Sequence, residues 1–91
     1  MARKRAHVYV TGKVQGVFFR ATTRDTAQEQ GVDGWVKNLD DGRVEAVFEG
    51  DPEAVDAMVE FCYEGSDMAS VSTVEVKEEE PDGIDGFEIA Y

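Results

Sequence analysis

The segment Gly12-Lys13-Val14-Gln15-Gly16-Val17-Phe18-Phe19-Arg20 carries the parts of an anion site in the order a chain needs them. Glycines at 12 and 16 let the backbone take positive φ and keep side chains out of a concave turn. Successive N–H groups in such a turn can converge on one anion. A helix that follows adds its first amides and a partial positive charge. Arg20 stands at that junction, where its planar fork can make paired hydrogen bonds to phosphate oxygens. The segment lacks the Gly-Lys-Ser/Thr ending of a nucleotide P-loop and is not a GxGxxG fingerprint. The same residues also fit a plain strand-to-helix loop with a surface arginine.

The elements that must position this loop are legible on either side of it. Residues 6–12 alternate, with Ala6, Val8 and Val10 on one face and His7, Tyr9 and Thr11 on the other, which predicts a half-buried strand. Residues 20–30 are rich in Ala, Arg, Gln and Glu and stop at Gly31, which predicts a helix. Residues 34–39 and 43–49 flank the turn Asp40-Asp41-Gly42 and form a hairpin, with Val44, Ala46 and Phe48 on one face and Glu45 and Glu49 on the other. A second helix is capped by Asp51, has Pro52 at its first position and ends at Gly65; Val55, Met58, Val59 and Cys62 form its apolar stripe. Residues 70–78 form another strand, whose slip of apolar parity between Val71 and Val74 predicts a bulge. After Pro81-Asp82-Gly83 a short strand alternates through Phe87, Ile89 and Tyr91.

This order predicts an α+β fold over a single domain, residues 1–91: a ferredoxin-like βαββαβ sandwich, an antiparallel sheet with two helices on one face and a short C-terminal strand. In that arrangement the first and second strands run parallel with the third between them. Their C-terminal ends share one edge, which places the 12–20 loop beside Asn38.

Composition narrows the partners. No apolar run approaches the roughly 18 residues that cross a bilayer, and no apolar signal stretch follows the basic start, so a cytoplasmic location is expected. Cys62 is the only cysteine, which excludes an internal disulfide and a thiolate zinc cluster. The net charge is −11 and uneven: residues 1–44 hold eight Lys and Arg against five Asp and Glu, net +3, whereas residues 45–91 hold Lys77 against fifteen, net −14. Nucleic acid and anionic membranes need many cations and are not expected partners. An anionic ligand must bind where the first half concentrates its positive charge. The acidic excess and scarce lysine fit adaptation to molar salt, where self-repulsion is screened over a Debye length of about 3 Å at 1 M; simple solubility is the plainer account.

The string Val10-Thr11-Gly12-Lys13-Val14-Gln15-Gly16-Val17-Phe18-Phe19-Arg20 resembles the first signature of the acylphosphatase family, and Gly34-Trp35-Val36-Lys37-Asn38, with Gly42-Arg43-Val44 and Gly50, resembles the second. The tail from Pro81 to Ile89 is also similar to family C-termini, so the resemblance covers nearly the whole chain. It implies a small acyl phosphate substrate, no metal and no cofactor. It implies that Arg20 binds the phosphate, that the amides of Gln15, Gly16, Val17, Phe18, Phe19 and Arg20 cradle it, and that Asn38 positions the attacking water.

The chemistry suits such residues. The leaving group is a carboxylate, which needs little or no protonation, so no strong general acid is required. Phosphoryl transfer leaves mainly positioning and charge stabilisation to the protein. Other candidates read as structural: His7 without an implied acidic partner, Cys62 in the core, Glu78-Glu79-Glu80 as a solvated run, and Trp35, Phe18 and Phe19 as core or pocket wall. Lys13 is placed either to add potential at the loop mouth or simply in solvent. A noncatalytic anion-binding or regulatory module on the same fold would keep Arg20 and the loop but would not need Asn38. An RNA-binding domain of this topology would carry a basic, aromatic third strand; here that strand is acidic. The end of the chain at Tyr91 suggests a stand-alone enzyme rather than a domain of a larger carbamoyl-transferring protein; separately, a monomer is expected.

Overall fold

The computed structural model describes residues 3–90. Its elements run β1 (Lys4–Lys13), α1 (Phe19–Gln30), β2 (Asp33–Asn38), β3 (Val44–Gly50), α2 (Pro52–Glu64), β4 (Ser70–Glu79) and β5 (Phe87–Ile89). The five strands form one sheet in the order β4-β1-β3-β2-β5. β1 and β2 therefore run parallel on either side of β3, each paired antiparallel to it. β5 pairs parallel with β2, which makes the sheet mixed at that edge. The predicted ferredoxin-like α+β arrangement is what the structure contains, except that the sheet expected to be antiparallel is mixed where the short C-terminal strand joins it. Tyr91, expected to continue the last strand, lies outside the described residues.

The core follows the alternation read from the sequence. Ala6, Val8 and Val10 of β1 and Val44, Ala46 and Phe48 of β3 are all buried, and they meet Val55, Met58 and Cys62 of α2. α1 lies over β2 and β5, while α2 lies mainly over β1 and β4. Burial pushes the Cys62 thiol up to about 12, so it behaves as a small apolar core residue. The caps of α2 are those the sequence specified: the Asp51 carboxylate accepts from the Glu53 amide at 3.1 Å, and the Gly65 amide donates to Phe61 at 2.7 Å. α1 ends at Gly31, which takes φ 70° and closes the helix through the carbonyls of Ala27 and Gln28. The predicted bulge is present. The pairing of β1 with β4 steps from Thr11–Thr73 to Gly12–Val71, leaving Ser72 unopposed.

The other face of the sheet departs from expectation. Glu49 lies on the face of β3 opposite Val44, Ala46 and Phe48, as the alternation predicts, yet it is 0% exposed. The segment after β4 folds across it, and the amides of Asp82 and Gly83 each donate to its carboxylate at 2.8 Å. Arg5 and Arg3 add charged contacts at 3.3 Å each. Burial alone would raise this carboxyl; the two amides and then the two guanidinium groups overcome that and hold it down at about 2. Alternation alone does not predict that a loop will return over a strand's polar face. No described helix is long and apolar enough to cross a membrane.

Candidate active site

The loop between β1 and α1 is built by alternating backbone handedness. Gly16 takes φ 71° and Phe18 takes φ 62°, with Val17 between them on the negative side. Such alternation turns successive N–H groups toward one concave side, forming an anion nest. A Cβ at Gly16 would meet nothing within 4 Å, so the glycine serves the backbone and leaves the mouth of the site open. Gly12 is required for another reason: a Cβ there would stand 2.3 Å from the Ser70 carbonyl oxygen, blocking the approach of β4. Phe18 is the N-cap of α1 and makes no side-chain capping bond, and the first turn of the helix holds no acidic side chain. The helix start therefore keeps its amide donors and positive end available to an external anion.

Arg20 and Asn38 line one depression of about 260 Å³, together with Val14, Gly16, Phe18, Phe19, Ala21 and Ile89. Strand parity brings Asn38 there. Val36 is fully buried on the helix side of β2, and Asn38, two residues on, shares that side at the strand's end. Its Oδ1 is buried and accepts no hydrogen bond, which no other buried side-chain N or O among the described residues shares. A buried acceptor without a donor costs about 1–3 kcal/mol, so an orphan facing a cavity marks a place for a ligand or water.

Gln15 was expected to contribute only its backbone amide. Its side chain does more: Nε2 donates to the carbonyl of Leu39 at 2.7 Å and to that of Arg43 at 2.9 Å. On the far side of the loop, the Ser66 hydroxyl donates to the Val17 carbonyl at 2.5 Å. The loop is thus tied to the β2–β3 hairpin and to the α2–β4 connection. The aromatic residues divide in function. Phe19 is buried against Phe61, with ring centroids 6.1 Å apart, while Phe18 is 74% exposed. Trp35 lies on the other face of the sheet beside His7, and Lys13 is exposed.

His7 does have acidic partners. Nε2 contacts Glu45 at 2.6 Å and Nδ1 contacts Glu79 at 2.8 Å. Its register partners are Val47 and Lys77, so each glutamate is the diagonal neighbour two residues along its strand. Pairing strands by register, rather than reading each one alone, would have found them. This cluster sits on the face away from the helices and is remote from Arg20. Glu79 belongs to it, held below the usual carboxylate range by His7 and Arg5, and so is not merely part of a solvated run.

A loop of alternating handedness, a helix start, an arginine and an unpartnered amide oxygen meet at one depression on a ferredoxin-like sandwich, an arrangement with the chemistry to accept a small oxyanion. Residues 6–89 match the acylphosphatase family. The chain is similar to an acylphosphatase of Haloarcula marismortui, 66% identical over the whole of both chains. It is 67% identical to one of Haloquadratum walsbyi, over 96% of this chain and 94% of the other. Its fold is similar to the crystal structure of acylphosphatase from Bacillus subtilis, with TM-score 0.93 and 38% identity over 97% of this chain and 99% of that one. The chain belongs to the acylphosphatase family and is an enzyme of that kind, with relatives in halophilic archaea.

Proposed function

We propose that residues 1–91 act as one domain that hydrolyses acyl phosphates at the depression holding Arg20 and Asn38. The amides from Gln15 to Arg20 and the Arg20 guanidinium hold the phosphoryl oxygens and neutralise charge as the bond to the carboxylate lengthens. Asn38 Oδ1 accepts a hydrogen bond from the attacking water and fixes it against phosphorus. The water oxygen forms the new P–O bond. The old bond breaks with its electron pair leaving on the carboxylate, and the water's proton goes to the phosphate. The acyl phosphate dianion and water thus become a carboxylate and dihydrogen phosphate, with charge and atoms balanced. A site made of N–H donors and a guanidinium repels cations, which supports a reaction without metal or cofactor.

The observation that carries this reading is the buried, unpartnered Oδ1 of Asn38 in the same depression as Arg20. A pure anion binder has no use for such an acceptor, since an acceptor repels the anion. The test is Asn38→Ala, assayed on benzoyl phosphate together with competitive inhibition by inorganic phosphate. Orientation weighs on the transition state more than on the ground state. kcat should therefore fall about 10²-fold or more while phosphate affinity stays within about a few-fold. A folded Asn38→Ala protein with full kcat would refute the mechanism and favour the noncatalytic binder.

A further inference from the structure

A second depression, of about 250 Å³, lies against the same loop and shares Phe18 with the first. Its other walls are Val17, Thr22, Ser66, Asp67 and Met68. Phe18 is 74% exposed and Met68 is 61% exposed, so two large apolar side chains flank it without contributing much to the core. Phe18 also holds φ 62°, a region costly for an aromatic residue. Core packing explains neither the exposure nor the strain. The groove is nonetheless held in fixed relation to the cradle. Ser66 bonds the Val17 carbonyl, and the turn that carries Met68 is closed by the Ala69 amide on Ser66 at 3.0 Å.

Sheet order sets its direction. The loop leaves the end of β1, beside β4 on one flank and toward β2 on the other. Asn38 belongs to β2, whereas residues 66–69 lead into β4 at Ser70, which pairs with Lys13. An in-line displacement at phosphorus puts the attacking water and the leaving oxygen on opposite sides. If water is held on the Asn38 flank, the leaving carboxylate points toward the flank of residues 66–68.

We propose that the groove between Phe18 and Met68 receives the acyl group of the substrate and selects apolar, uncharged acyl groups. This rests on the assignment of phosphate to the Arg20 loop and of water to Asn38. Aryl and alkyl groups gain by covering Phe18 and Met68. An acyl group bearing a second carboxylate meets Asp67 in the groove wall and is disfavoured.

The test compares kcat/KM for benzoyl and acetyl phosphate in the full chain, in wild type, Met68→Ser and Phe18→Gly, each checked for folding by circular dichroism. The ratio of the two substrates is followed from variant to variant, because their intrinsic reactivities then cancel. Met68→Ser should lower the benzoyl-to-acetyl ratio by about threefold or more while acetyl phosphate turnover stays within about twofold. Phe18→Gly, which fits the backbone, should lower the ratio as well, whatever its effect on acetyl phosphate. An unchanged ratio in folded Met68→Ser and Phe18→Gly would overturn the groove assignment while leaving the phosphate site intact. Wild-type turnover of both substrates by Arg20→Ala would bring down the phosphate site itself, and the groove with it.

Discussion

Gln15 of the cradle loop is bonded to Leu39 of the β2–β3 hairpin through a 2.7 Å contact from its side-chain amide to the Leu39 carbonyl. Leu39 directly follows Asn38, so this bond and its companion to Arg43 tie the loop before α1 to the strand end that carries Asn38, and in the proposed mechanism they set the distance between phosphate and water. Under the proposed mechanism Gln15 is a positioning residue. Gln15→Ala should lower kcat by about tenfold with a smaller change in KM, because a misplaced water costs more in the transition state than in binding. Gln15→Glu should be worse than Gln15→Ala, since a carboxylate faces two carbonyl oxygens with nothing to donate. A kcat of Gln15→Ala equal to wild type would show that the bond is only structural.

Arg20 carries the charge-matching role in the proposed site. Arg20→Ala should remove nearly all turnover and also competitive inhibition by phosphate. Arg20→Lys should restore little, because a point charge cannot reproduce a bidentate fork. Wild-type kcat in folded Arg20→Lys would show that charge alone suffices.

Turnover should be insensitive to chelators. Among the described residues no group of three or more His, Cys, Asp or Glu side chains is placed to hold a metal ion, and the cradle itself offers donors rather than ligands. Steady-state assays before and after exhaustive EDTA treatment check this. Loss of activity restored by one specific divalent ion would contradict it.

Glu49 links the fold to pH. Its carboxyl is held at about 2 against an ordinary value of 4.5. A depressed folded-state value contributes stability that is fully present above 4.5 and is lost as pH falls toward 2. Denaturation at a series of pH values should show stability falling through this window. Glu49→Gln should be less stable at neutral pH, because Arg3 and Arg5 lose their buried partner, and its stability should fall less steeply with acid. Parallel curves for the two proteins would assign the acid sensitivity to other carboxylates, of which Glu79 is the first candidate.

Much of this was legible in the chain because local rules and tertiary packing agree. The period-two strands and the Asp51 and Gly65 signals of α2 each report a local backbone event, and the parity slip before Val74 marks within β4 itself the bulge that it makes against β1. Gly16 reports the concave loop for the same reason, whereas Gly12 lies within β1 and serves the close approach of β4. The contacts that local pattern does not reveal all join residues far apart in sequence. Gln15 reaches the hairpin, Ser66 reaches Val17, and Glu49 is covered by the backbone of Asp82 and Gly83. The unsatisfied state of Asn38 Oδ1 likewise exists only once the packing around β2 is formed. Sequence indicates that an asparagine is present at a strand end; only packing reveals that its oxygen is left without a donor.

The acidic half of the chain leads to the last prediction. Along α2, Asp56, Glu60 and Glu64 succeed one another at intervals of four residues, and all three are exposed. Residues four apart on a helix are neighbours, and like charges there destabilise by about 0.2–0.5 kcal/mol per pair. Lys4 relieves one end by pairing with Asp56 at 2.7 Å, but Glu60 stands between two carboxylates. Salt screens such exposed repulsion, while the enclosed ion pairs around Glu49 are screened much less. Stability should therefore rise between about 0.1 M and about 3 M KCl, as suits a chain whose relatives include proteins of halophilic archaea. Glu60→Lys converts two repulsions on the helix into two attractions. It should raise stability at low salt and flatten the rise with salt, without changing kcat at high salt, since α2 contributes no residue to the depression that holds Arg20. Thermal denaturation of both proteins across the salt series measures this. A wild type equally stable at both ends would reject adaptation to salt and leave simple solubility as the reason for the acidic surface. A salt-dependent wild type with an unaltered slope in Glu60→Lys would place the repulsion instead on β4 and the segment that follows it.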